Sequence, residues 1–156
     1  MSKPIVTPLQ ARAKLERFCA YQDRCHQEVA DKLRSLGTDT DTADEIIVYL
    51  IAHDFLNEER FARSFARGKH RIKFWGRIRI VHELKARGIS QYNITTALKE
   101  LDPDQYEQQF ETLADRCWAN LREPDLNKKK KKWFDALLRK GYEPQLVYDK
   151  MKLLTK

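Results

Sequence analysis

The stretch FLNEERFARSFARGKHRIKFWGRIRIVHELKARG, residues 55–88, decides the predicted fold because the pattern of its last five residues recurs elsewhere in the chain. A leucine followed four residues later by glycine occurs at Leu33–Gly37, Leu84–Gly88 and Leu137–Gly141. Glycine is a common residue in the left-handed position that follows a helix. The pattern therefore predicts three helices that end in the same way.

Apolar residues also recur at matching distances from these glycines, which are 51 and 53 residues apart. The aligned sets are Val29, Ile80 and Trp133; Ala30, Val81 and Phe134; Leu33, Leu84 and Leu137; Ala43, Ile94 and Val147; Ile47, Leu98 and Met151; and Leu50, Leu101 and Leu154. The spacing on each side of the glycine suits one face of a helix. Any three helix pairs ending in glycine look somewhat alike, but the near-constant interval favours a true repeat.

Scarce glycine and proline, five of each in 156 residues, favour helices over a turn-rich β fold. The prediction is an all-α chain of three tandem three-helix repeats in an elongated array, with its curvature left open. The predicted boundaries are a flexible tail at 1–8, repeat 1 at 9–56, repeat 2 at 57–101 and repeat 3 at 102–156. In the first helix, Leu9, Ala13, Phe18 and Tyr21 are predicted to form the apolar stripe.

The net charge of +7 is concentrated in repeat 2. Residues 1–56 carry 7 basic and 9 acidic side chains, residues 57–101 carry 11 and 4, and residues 102–156 carry 12 and 10. A localised excess of this kind indicates an acidic or polyanionic partner.

On a helical wheel Arg63, Arg67 and Arg71 fall within roughly 60° of Arg60, while Phe61 and Phe65 face the core. The predicted binding residues for a partner or DNA are Arg60, Arg63, Arg67, Lys69, Arg71, Lys73, Arg77 and Arg79. Arginine suits carboxylate and phosphate groups because its donors form a planar fork. The alternative is a basic face that only keeps the protein in solution.

Two further features have two interpretations each. Phe74 and Trp75, at the predicted break between two helices, either cover the core or contact a partner or a nucleobase. The run Lys128–Lys132 resembles a nuclear-localisation patch when taken alone, but its place in the repeat predicts an exposed helical turn that can meet anionic groups.

No catalytic motif, paired CxxC or metal-binding spacing occurs, so neither an enzyme nor a cofactor or metal is expected. Cys19, Cys25 and Cys117 are interpreted as reduced thiols. The N-terminus lacks the apolar core of a signal peptide, and no apolar run could span a membrane. A cytoplasmic protein is expected.

The segments LNEERFARSF at 56–65 and GRIRI at 76–80, with Arg67, Glu83-Leu84 and Arg87-Gly88-Ile89, resemble the central signature of the RecX family. Asn57 stands where that family often has aspartate, and it still permits helix capping. The repeat pattern over residues 9–154 is similar to the family's plan of three tandem three-helix repeats.

The resemblance implies a non-enzymatic regulator of the bacterial recombinase RecA, in DNA repair and the SOS response. Such a protein binds RecA filaments on DNA and commonly inhibits ATPase, strand-exchange and coprotease activity. The expected partners are the RecA filament and single- or double-stranded DNA through repeat 2, with the chain as a monomer. The alternative is a basic all-α module that binds nucleic acid and does not target RecA.

Overall fold

In a computed structural model, residues 6–156 are described, and they form nine α-helices and no strand. The helices are α1 (Pro8–Tyr21), α2 (His26–Ser35), α3 (Thr40–Ala52), α4 (Glu58–Lys73), α5 (Arg77–Ala86), α6 (Gln91–Leu98), α7 (Pro103–Asn120), α8 (Leu126–Arg139) and α9 (Pro144–Leu154). Residues 1–5 of the predicted tail lie outside the described part, and α1 already begins at Pro8. None of the helices described is both long and apolar enough to cross a membrane.

The three predicted helix-ending glycines all have positive φ, at 75° for Gly37, 74° for Gly88 and 98° for Gly141. The leucines four residues before them are buried in every repeat, as are Val29, Ile80 and Trp133 eight residues before. Positions aligned by sequence thus have the same place in each three-helix unit. The predicted all-α repeat fold is confirmed.

The buried residues form two separate clusters. The first lies within repeat 1 and includes Leu15, Leu33 and Leu50. The second contains Cys25, at the start of α2, and then runs through repeats 2 and 3 from Phe61 in α4 to Val147 in α9. Repeats 2 and 3 therefore share one core, to which repeat 1 contributes Cys25, whereas the other buried residues of repeat 1 form a core of their own.

The predicted apolar stripe of α1 is wrong. The structure buries Ala11, Leu15 and Cys19, which are spaced four residues apart, and leaves Leu9 68% exposed and Tyr21 82% exposed. Two of the three buried positions carry the small side chains of Ala11 and Cys19, which a search for large apolar residues passes over, and Phe18 of the predicted stripe is only partly buried against this core.

The molecule exposes more surface than a compact protein of its mass. Its solvent-accessible area is 10092 Å² for 18.5 kDa, against roughly 8200 Å² for a compact monomer. An array of units that touch only their neighbours in sequence has this property. The excess agrees with the predicted elongated arrangement.

Repeats 2 and 3 meet at two glycines. The backbone N–H of Gly76, at the start of α5, donates to the carbonyl of Lys140 (2.7 Å), and Ile78 N–H donates to the carbonyl of Gly141 (2.9 Å). A Cβ at Gly76 would lie 2.6 Å from Tyr142 N, and one at Gly141 would lie 2.5 Å from Arg79 N. Two N–H groups at the start of α5, which have no partner within the helix, thus bond to carbonyls at the end of α8. The two backbones lie so close together that only glycine fits at positions 76 and 141.

Side chains reinforce this junction. The Tyr106 hydroxyl in α7 donates to Glu143 Oε1 (2.7 Å) and accepts from the backbone N–H of Arg77 (3.1 Å). The Arg77 guanidinium lies 3.8 Å from the centre of the Tyr106 ring and 3.4 Å from Glu143 Oε2. Burial, helped by the Glu143 carboxylate, raises the pKa of Tyr106, so this hydroxyl stays protonated.

His70 is a buried histidine at the point where α4 meets α7. Its Nδ1–H donates to the carbonyl of Trp75 (2.8 Å), and its ring stacks on Tyr106 with centroids 5.0 Å apart. Nε2 is buried and has no hydrogen-bond partner among the described residues. Burial lowers the pKa of His70, the Trp75 carbonyl opposes that shift, and the nearby Arg77 charge adds to it.

Stability is expected to fall as the pH drops below about 6.5, the pKa of an unperturbed histidine. His70 then binds a proton more readily in the unfolded chain than in the folded one, which favours unfolding by up to about 1.4 kcal/mol per pH unit. Urea unfolding between pH 7.5 and 5.5 measures this slope. His70→Asn should reduce the dependence of stability on pH while keeping a side-chain donor near the Trp75 carbonyl. The same change at the exposed His82 should leave that dependence as it is in the wild type. Equal slopes in the two variants would contradict the assignment.

Candidate partner-binding surface

Four of the eight predicted binding residues form ion pairs within the chain. In α4, Arg60 Nε lies 2.6 Å from Asp23 of repeat 1, and Arg60 also contacts Asp54 (3.1 Å). These bonds raise the pKa of Arg60, with the hydrogen bond to Asp23 as the main cause. Arg60 therefore joins repeats 1 and 2.

The next two arginines of α4 converge on one carboxylate at the end of repeat 2. Arg67 lies 3.2 Å from Glu100, and Arg63 lies 3.7 Å from the same oxygen and 3.3 Å from Glu59. Arg77 pairs with Glu143, as described above. All of these guanidinium groups remain partly exposed, so they can still meet a partner, but part of their charge is balanced internally.

Four other cations have no carboxylate within 4.0 Å among the described residues, and two of them lie over the half-buried Trp75. We call them the Trp75 cluster: Lys69, Lys73, Arg79 and Lys140. Lys69 Nζ lies 5.2 Å from the centre of the indole ring, and the Arg79 guanidinium lies 4.3 Å from it. Cation–π contacts of this kind hold the charges in place without neutralising them.

The cluster crosses the junction of repeats 2 and 3. Lys140 Nζ donates to the carbonyl of Lys73 (3.0 Å), and the Arg79 guanidinium donates to the carbonyl of Arg139 (3.2 Å). The sequence singled out Lys69, Lys73 and Arg79 but missed Lys140. Its place beside Gly141 was visible, but the contact of Gly141 with repeat 2 depends on the tertiary fold.

The turn that carries Trp75 is built by local capping. Phe74 adopts the left-handed conformation (φ 61°) at the end of α4, and the Trp75 N–H donates to the carbonyl of Lys69 (3.2 Å). The Trp75 ring packs on the second core and on Phe65, with ring centroids 6.0 Å apart. Trp75 thus covers the core, as the first interpretation of the sequence has it, while two cations of the chain lie over its ring. Its contact with a partner or a nucleobase stays a prediction.

Arg71, the eighth predicted residue, lies on the opposite side of α4. It has no carboxylate partner among the residues described and lines a cleft of about 440 Å³ between α4 and α7. Gln109 of α7 donates to the carbonyls of His70 (3.2 Å) and Arg71 (3.1 Å) across the base of that cleft. The structure therefore separates Arg71 from the Trp75 cluster.

The Lys128–Lys132 run lies in the first two turns of α8, which Asp125 caps by accepting from the Lys128 N–H (3.1 Å). Two of the lysines are paired, Lys131 with Asp135 (3.0 Å) and Lys132 with Glu123 (2.7 Å). The run is helical, as the repeat pattern predicted, and its charge is partly balanced.

The described residues contain no group of three or more His, Cys, Asp or Glu that could hold a metal ion. Burial raises the pKa of all three cysteine thiols, so they are less reactive than an exposed thiol. What the Trp75 cluster offers instead is a fixed set of donors and positive charge for an anionic group.

Two family models match the chain. "RecX, first three-helix domain" matches residues 11–50, and "RecX, second three-helix domain" matches residues 57–98. Together they cover more than half of the chain, including α4 and its arginines.

Individual proteins give the same result. The chain is 27% identical to "Regulatory protein RecX" of Streptomyces lividans over 133 residues, which cover 85% of this chain and 71% of that protein. It is 29% identical to the protein of the same name from Clostridium perfringens strain 13 over 122 residues, covering 77% of this chain and 57% of that relative.

Solved structures share the fold. The crystal structure of RecX from Lactobacillus salivarius superimposes with a TM-score of 0.76 at 27% identity and covers 94% of both chains. A second, described as the crystal structure of regulatory protein RecX, gives a TM-score of 0.78 at 21% identity and covers 93% of this chain and 73% of that one. From the matched domains, the similar relatives and the shared three-repeat fold, we conclude that this chain belongs to the RecX family of regulatory proteins.

Proposed function

We propose that this protein binds RecA filaments assembled on DNA and lowers their ATPase, strand-exchange and coprotease activities, without catalysing a reaction itself. The observation that supports the proposal best is the Trp75 cluster, four cations that no carboxylate of the described residues neutralises, at the fixed junction of repeats 2 and 3. Like charges gathered in this way repel one another in the free protein and gain when an anionic surface binds.

The elongated fold supports the same proposal. A chain of three units has a long surface, so it can contact successive subunits of a filament at several points. The acidic repeat 1 lies next to the basic repeat 2, so the charge of this surface changes sign along the chain, which favours one direction of binding.

The purified protein is expected to lower the ATPase rate of RecA on single-stranded DNA in a concentration-dependent manner. The experiment is a coupled ATPase assay at fixed RecA, repeated with DNA in large excess. Inhibition that persists in excess DNA shows that the target is the filament and not free DNA.

An unchanged or increased ATPase rate would contradict the proposed inhibition. If the protein then bound naked DNA with an affinity that fell steeply with salt, it would be a nucleic-acid-binding module that does not act on RecA.

A further inference from the structure

A groove of about 520 Å³ runs between repeat 1 and repeat 2. Its floor is the outer face of α4, with Phe65, Gly68 and Ile72. One wall carries Asp23 and Glu28 of repeat 1, and the other side carries Lys69, Lys73 and Arg87 of repeat 2. The groove therefore adjoins the Trp75 cluster, with which it shares two lysines.

Gly68 lies in the middle of the 16-residue helix α4, where glycine is unfavourable compared with alanine. Its backbone is not in the left-handed region, and apart from the adjacent residues and the backbone of its own helix, no described atom lies within 4 Å of the position that a Cβ would occupy. Neither local conformation nor packing within the chain requires glycine here. What glycine does provide is a gap in the side-chain layer, through which another chain can approach the helix closely.

Apolar surface borders this gap. Ile72, one helical turn after Gly68, has 68% of its surface exposed. Phe65, one turn before, is only half-buried, since its ring packs on Phe61 and Trp75 with centroids 5.5 and 6.0 Å away. The floor of the groove can therefore bury an apolar side chain between an aliphatic and an aromatic neighbour.

The charges on the two sides indicate the kind of molecule that fits. Lys69 and Lys73 have no carboxylate partner in the described part of the chain, so their ammonium groups can pair with an acidic group of another molecule. Asp23 and Glu28 already accept bonds from Arg60 Nε (2.6 Å) and from the Cys25 N–H (3.3 Å), but they remain acceptors on the opposite wall. A nucleic-acid backbone would lie beside these two carboxylates, which repel phosphate. A polypeptide carries both acidic side chains and N–H donors, so it complements both walls.

We propose that this groove binds a polypeptide segment of the partner protein, in which an apolar residue packs against Gly68 and Ile72 and a neighbouring acidic residue pairs with Lys69 and Lys73. This inference rests on the proposed function in that the RecA filament supplies the segment. It assigns the docking of protein to the groove between repeats 1 and 2.

The first test is Gly68→Leu, compared with the wild type in the RecA ATPase assay. Leucine favours the helix and its Cβ position is open, so the melting temperature should stay the same or rise by a few degrees. The side chain fills the groove, so the concentration for half-inhibition should rise about tenfold or more. Thr95→Leu, at an exposed position of α6 away from the groove, is the matched control and should inhibit like the wild type.

Gly68→Ala provides a second variant if Gly68→Leu fails to fold. It adds one methyl group, so it should raise the melting temperature and weaken inhibition by a smaller factor. If Gly68→Leu folds and inhibits as strongly as the wild type, the proposal that the groove binds a polypeptide is wrong, and the proposed function is unaffected. A wild-type protein that does not affect RecA overturns both.

A photo-crosslinking amino acid at position 68 identifies the class of molecule bound. With RecA filaments on DNA, crosslinking is expected to a RecA peptide that contains an apolar residue next to an acidic one, and position 95 should give little product. Crosslinking mainly to DNA would overturn the proposal.

Discussion

Gly141→Ala is expected to destabilise the protein by about 3 kcal/mol or more, because two independent costs meet at this residue. The first is its backbone conformation, with φ at 98°, which costs an L-residue about 1–2 kcal/mol. The second is overpacking, since the new Cβ would lie 2.5 Å from Arg79 N, a backbone atom that cannot move aside alone. Overpacking of this kind costs about 1–3 kcal/mol. Urea unfolding followed by circular dichroism measures the total.

Two matched variants separate these costs. Gly88→Ala carries nearly the same backbone penalty (φ 74°) but has nothing within 4 Å of the added Cβ. Gly76→Ala has an ordinary backbone (φ −81°) but would place its Cβ 2.6 Å from Tyr142 N. Each should destabilise less than Gly141→Ala. If Gly141→Ala were no worse than Gly88→Ala, the contact between repeats 2 and 3 would not be rigid.

The triple variant Lys69→Glu, Lys73→Glu, Arg79→Glu is expected to weaken inhibition of RecA by at least about tenfold, equivalent to ~1.4 kcal/mol. The change turns three cations without carboxylate partners into anions, so attraction to an acidic surface becomes repulsion. The contribution of these charges is measured as the affinity for the filament at increasing salt. The wild-type affinity should fall with salt more steeply than that of the variant.

The control variant is Arg17→Glu, Lys85→Glu, Lys99→Glu, which alters net charge by the same amount at exposed helical positions outside the Trp75 cluster. It should retain most of the inhibition. Equal losses in the two variants would mean that net charge matters and the cluster does not. Circular dichroism on both proteins excludes loss of folding as the cause, which is needed because Arg79 donates to the carbonyl of Arg139.

The fold was predictable because its signals are local and repeated. A leucine and a glycine four residues apart mark the end of α2, α5 and α8, and apolar residues at equal distances mark the packed faces. The start of α4 at Glu58 also follows from the Asn57 cap, which accepts from the Arg60 N–H (3.0 Å). The buried Ala11 and Cys19 were not predictable by hydrophobic size, because small residues signal close helix packing only once the neighbouring helices are placed.

The candidate surface was predictable only in part. Helical spacing indicates that Arg60, Arg63 and Arg67 share a face of α4, but their partners Asp23 and Glu100 come from other helices. Which cations remain without a carboxylate is therefore a property of the tertiary structure. The binding role of all eight residues stays a prediction. The triple variant of Lys69, Lys73 and Arg79 tests three of them.

The division into two cores sets the order in which the protein can fold as it is synthesised. Every buried residue of the first core lies between Ala11 and Leu56, so repeat 1 can close its core as soon as it leaves the ribosome. The second core joins Phe61 to Val147, and it cannot close before α9 has been made. Until then the apolar residues of α4 to α8 that pack against α9 remain uncovered, and exposed apolar surface of this kind favours aggregation.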